Sequence, residues 1–194
     1  MASAPGTQSH PRFDRVSWTV LLSLVLLSVL AGIWHVSGWA ATWVAALLFP
    51  PAAGLPALWP PLRLWPLGET TATVWLIDLA GVAVMLITAW VQLRAAARRH
   101  PHPGRWRAFG RGLWTTILAF VAGNIVRGVA QSFLLHSDLG TYAGQLVANV
   151  LVSALTGLLA GVVVGLIAML FAGSKPVETL APAETDDAEA LFRA

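Results

Sequence analysis

From Tyr142 to Ala172 the chain runs for 31 residues without one charged side chain. Three more long apolar stretches precede it, at residues 16–36, 71–93 and 112–135. A run of about 20 apolar residues matches the roughly 30 Å hydrocarbon core of a bilayer. In that medium each backbone N–H and C=O must find its partner inside the protein, which a helix achieves by itself. Only 11% of the residues are charged, against roughly 25% in a soluble domain. The sequence therefore predicts an all-α, polytopic membrane protein built as a bundle of four transmembrane helices. At 1.5 Å per residue the last run would be roughly 46 Å long, so it should tilt, bend near Gly157 or begin as an interfacial helix. For the first run a signal peptide is the rival reading, with Arg12 and Arg15 as its basic head and Val29-Leu30-Ala31 as a cleavage site. The apolar run continues past that site, which favours a span.

Between the first two runs the pattern breaks. Pro50, Pro51, Pro56, Pro60, Pro61 and Pro66 remove backbone donors and clash with helical neighbours, so no continuous lipid-exposed span fits there. Trp34, Trp39, Trp43, Trp59, Trp65 and Trp75 crowd the same region, and indoles favour the headgroup level. The expectation is a short interfacial helix near Trp39–Phe49, followed by a Trp/Pro-rich loop lying on the bilayer surface. Such a loop could seat the protein, cover a polar cluster or meet another membrane protein. A re-entrant hairpin is the alternative, tolerable only where protein or water satisfies its backbone.

Arg12, Arg15, Arg94, Arg98, Arg99, Arg105, Arg107, Arg111, Lys175 and Arg193 all fall on one side of a four-span arrangement, and only Arg63 falls on the other. By the positive-inside rule both termini are cytoplasmic and the protein is a multi-pass component of the cell membrane. The membrane domain covers residues 16–173. It is flanked by a polar tail, 1–15, and an acidic tail, 174–194, both expected to be disordered. The basic loop Arg94–Arg111 reads as an anchor whose Arg94, Arg98, Arg99, Arg105, Arg107 and Arg111 touch anionic headgroups. Broken by Pro101, Pro103 and Gly104, it forms no recognisable nucleic-acid module.

Two ionisable residues lie well inside the spans. Arg127 sits roughly 12 Å, and Asp78 roughly 10 Å, below the same end of the bundle. A lone charge near mid-bilayer costs about 2.5–3.5 kcal/mol on insertion scales, so opposite charges at one depth are expected to pair across the second and third spans. Asp78, Gly81, Met85, Thr88 and Gln92 follow the 3,4 spacing of a helix seam. Asn124, Arg127 and Gln131 share one face of the third span, and Gln145 and Asn149 reach a similar depth on the fourth. With His35 closing the group, the candidate site is a buried polar cluster. Its first reading is structural, since polar groups tie helices together where apolar attraction between them is weak. A solute or proton path is the second. Catalysis, through His35, Asp78 and His136, has no ligand spacing to support it.

The fourth span carries Ser153, Gly157, Gly161 and Gly165 at four-residue intervals, a doubled GxxxG that lets another helix approach closely. That helix can belong to the same chain, to a second copy or to a partner. Cysteine is absent, which excludes disulfides, thiolate metal sites and a cysteine nucleophile. The only lysine, Lys175, lies outside any glycine-rich loop, which excludes a P-loop. No cofactor, metal or catalytic residue is assigned. The leading expectation is a non-enzymatic assembly or accessory subunit that packs with itself or a larger membrane protein through the glycine stripe and the Asp–Arg pair. The alternative is a small-solute transporter or exporter with its site in the outer half of the bundle.

Overall fold

The computed structural model describes residues 13–43, 59–66, 71–100, 103–134 and 138–172. The elements are α1 (Arg15–Gly32), α2 (Trp34–Trp43), α3 (Ala72–Arg99), α4 (Arg105–Leu134) and α5 (Leu139–Phe171). Among the described residues, α1, α3, α4 and α5 are each long and apolar enough to cross a membrane. The architecture is thus all-helical and fits a multi-pass membrane protein. The tails expected to be disordered, apart from the start of α1, lie outside the described residues. So do His136 and most of the Trp/Pro-rich region, including the far end of the interfacial helix expected up to Phe49.

Side chains set the helix starts. Asp14 caps α1 by accepting from Ser17 N at 3.1 Å, Thr71 caps α3 at Val74 N, and Asp138 caps α5 at Gly140 N and Thr141 N. Each satisfies N–H groups that have no intrahelical acceptor. Hydrogen bonds from Thr141, first from its backbone and then from its side chain, hold the Asp138 carboxyl below the usual aspartate range. A depressed folded-state value means that the cap is fully present above the unfolded pKa and is lost as pH falls through the lower folded one. Amide protection at Gly140 and Thr141 should therefore persist to about pH 4 and collapse only below it, as hydrogen exchange would register.

The basic region is more helical than the sequence predicts. The expected loop from Arg94 to Arg111 begins inside α3, which continues to Arg99, and ends inside α4, which starts at Arg105. Alanine and arginine are strong helix formers, and both helices reach well into the basic region.

The four long helices run alternately up and down, and two sets of contacts fix their ends. At the basic end, Arg111 of α4 reaches two other helices. Its Nη1 donates to Asp14 Oδ2 at 2.8 Å, and its Nη2 donates to the carbonyls of Ala96 (3.2 Å) and His100 (2.8 Å) at the close of α3. One guanidinium thus joins the start of α1 to the end of α3, where it shares the Ala96 carbonyl with the His100 N–H. Arg111 is accordingly turned inward, its side chain only 6% exposed, and is corrected from headgroup contact to internal clamp. Arg111→Gln should lower unfolding stability by about 2 kcal/mol, whereas exposed Arg107→Gln should stay within about 0.5 kcal/mol. Denaturant titration in detergent measures both.

At the opposite end, the Trp59–Pro66 segment folds onto the bundle. Pro60 and Pro61 are buried, and having no N–H they leave no buried donor without a partner. The first N–H after them, that of Leu62, donates to Ser28 O of α1 at 2.9 Å. A Cβ at Gly32 would collide with the Leu62 carbonyl, so this glycine makes room for the segment just where α1 ends. Trp75 Nε1 of α3 donates to Arg63 O at 3.0 Å.

Candidate functional site

Three helices present polar side chains to one another. On α3, Asp78, Gly81 and Met85 are buried along one stripe; on α4, Asn124 and Arg127 are; on α5, Asn149, Ser153 and Thr156 are. Arg127 is 2% exposed, Asn124 1%, Asn149 3% and Asp78 6%. Both Nε and Nη2 of Arg127 lie 2.8 Å from Asp78 Oδ1. Nη1 turns the other way and donates to Asn124 Oδ1 at 2.9 Å. The backbone carbonyl of Asn124 accepts from Asn149 Nδ2 at 2.6 Å. Asn149 Oδ1 in turn accepts from Ser153 Oγ at 3.3 Å. The result is a relay from α3 through α4 to α5, in which each polar group meets another before it would meet hydrocarbon.

Glycines supply the room for it. A Cβ at Gly81 would fall 2.5 Å from Arg127 Cγ and 2.6 Å from its Cδ, so this glycine is the berth for the arginine stem. A Cβ at Gly128 would meet the Asn149 amide, and one at Gly123 would stand 2.7 Å from Gly81 O. One rung further toward the end of the bundle, Ser132 Oγ donates to Gly128 O at 2.8 Å and lies 3.3 Å from Gln145 Oε1.

Of the sequence-predicted cluster, Asp78, Asn124, Arg127 and Asn149 come together, and Gln145 joins through Ser132. Gln131 is half-buried. His35 does not join it. The chain breaks at Ile33 and restarts as α2, which leaves His35 exposed. Gly81, Gly123, Gly128 and Ser132 complete the site. Gly81 already stood on the Asp78 stripe in the sequence, and Gly123 lies one helical turn before Arg127.

The glycine stripe of α5 is used within the chain. A Cβ at Gly157 would fall 2.9 Å from Ile117 Cα, one at Gly161 3.0 Å from Leu113 O, and one at Gly165 2.9 Å from Phe109 O. All three positions face α4, whose Gly112 would place its own Cβ 2.8 Å from Gly165 Cα. Ser153, the first member of the stripe, belongs to the relay. Outside the stripe, Leu151, Leu155, Leu159, Val163, Leu166 and Leu170 of α5 are exposed.

Apolar outer faces around a hydrogen-bonded polar relay define the class: an all-helical bundle with four helices long and apolar enough to cross a membrane. Comparison with family models, with curated proteins and with solved structures returns no match.

Proposed function

We propose that the chain is a multi-pass protein of the cell membrane, with both termini cytoplasmic, that acts as a non-enzymatic accessory or assembly subunit. The observation that supports this reading is the relay Asp78–Arg127–Asn124–Asn149–Ser153. Its charges and amides are spent on one another, and what they produce is a fixed arrangement of three helices. Burying a charge is costly unless it is paired and hydrogen-bonded, and the relay meets both conditions. Since the glycine stripe and the ion pair both serve the bundle itself, a larger membrane partner would be met by the exterior. The apolar faces of α1 and α5 are the broadest candidates, with the docked Trp59–Pro66 segment at their rim.

The test uses the absence of native cysteine. Ser153→Cys nearly preserves side-chain shape at the inner end of the relay. In sealed vesicles it should resist a membrane-impermeant maleimide from either side, while exposed Arg107→Cys reacts fully. Rapid labelling at residue 153 would overturn the static reading in favour of a solute path. Purification in mild detergent, followed by mass spectrometry, should then yield a membrane protein in fixed ratio to this chain. Recovery of the chain alone, at full stability, would remove the subunit role.

A further inference from the structure

Two neighbouring helices change character at the basic end. The exposed face of α3 carries Ile87, Trp90 and Val91, and then Arg94, Arg98 and Arg99. The change takes about one helical turn, roughly 5 Å. On α4 the order is reversed. Arg105, Trp106 and Arg107 are exposed at its start, and Trp114 and Leu118 are the exposed apolar residues that follow. The Arg111 clamp holds the end of α3 against the start of α4, so these arginines share one border of the molecule. The Arg94 guanidinium lies over the Trp90 ring, 5.0 Å from its centroid. Stacking takes up one face of a guanidinium and leaves its edge donors in the planar fork that suits phosphate oxygens.

We propose that Arg94, Arg98, Arg99, Arg105 and Arg107 form a binding surface for the phosphates of anionic phospholipids, with the Arg94–Trp90 stack as its anchor. The choice of occupant follows from what borders the charge. Exposed Ile87, Trp90, Trp114 and Leu118 continue directly from the arginines, so the ligand must carry an anionic head and apolar chains side by side. A nucleic acid or an acidic peptide matches the arginines and leaves the apolar border uncovered. Charge repeated along the border strengthens the attraction, since basic residues near an anionic surface add to one another.

This inference stands apart from the accessory-subunit reading, because it is tested on the purified full chain alone. Native mass spectrometry with phosphatidylglycerol and phosphatidylcholine of identical chains should give a preference for the anionic lipid on the order of tenfold. Arg94→Gln with Arg98→Gln should bring that preference close to parity while the melting temperature is kept. Arg105→Gln with Arg107→Gln is the second variant, and raising the salt on the unmodified chain should weaken the preference without any substitution. Equal binding of the two lipids, or a preference indifferent to salt and to both variants, would overturn the assignment. So would displacement of the lipid by a short nucleic-acid duplex.

Discussion

Asp78→Leu should cost the bundle about 3–5 kcal/mol, the range for removing one partner of a buried ion pair. Arg127 would be left 2% exposed with its charge intact, because a guanidinium does not lose its proton in proteins. Its escape toward the bundle end is restricted by the berth at Gly81. Asn124 Oδ1 would remain as an acceptor, but an amide does not neutralise a cation. Arg127→Leu should cost less, about 2–3 kcal/mol, since an orphaned carboxyl can go neutral by taking up a proton. Exchanging the charges, Asp78→Arg with Arg127→Asp, should recover only part of the loss. The berth and Asn124 are built for an arginine on α4 and would not move with it. Unfolding in mixed micelles, followed by helical circular dichroism, measures each of these values.

Gly112→Leu should be the other severe substitution. A Cβ there would already stand 2.8 Å from Gly165 Cα and 3.1 Å from Gly165 N, and backbone cannot swing aside as a side-chain tip can. A leucine would push α4 and α5 apart along the seam that also holds Gly157 and Gly161. Overpacking costs about 1–3 kcal/mol where side chains can adjust, so backbone against backbone should cost about 3 kcal/mol or more. The form of the loss separates two roles for these glycines. An internal seam loses melting temperature with no change in the mass of the detergent-solubilised particle. A seam between copies would halve that mass while each chain stayed folded.

Much of this arrangement is legible in the sequence, and the physical reasons differ by element. The four long helices announce themselves because hydrocarbon demands length and apolarity together. The level shared by Asp78 and Arg127 follows from counting residues inward from each span end, and the two side chains meet at 2.8 Å. Charge count alone, however, does not separate Arg111 from its neighbours. Its inward turn depends on the capping of α1 by Asp14, a residue far away in sequence. His35 misled because a helix break at Ile33 shifts the facing of everything after it, and nothing local marks that break. The break coincides with a tertiary contact, the arrival of Leu62 at Ser28 and Gly32. The docked Trp59–Pro66 segment has no periodicity to read, and its prolines exclude helix without saying where the chain goes. The glycine stripe is plain in sequence, yet whether its neighbour is α4 or another copy depends on Gly112 and Leu113 facing it, which spacing alone does not reveal.

The relay between α3 and α4 is the foundation of the account, and a double-mutant cycle on Asp78 and Arg127 tests it most directly. Leucine at each position separately and at both together gives a coupling free energy for the pair. Contact through Nε and Nη2 to one carboxylate oxygen calls for a coupling of about 1–3 kcal/mol, so that the double variant loses less than the sum of the two single losses. Additive losses, with a coupling of about 0.3 kcal/mol or less, would mean that the two charges do not hold these helices together.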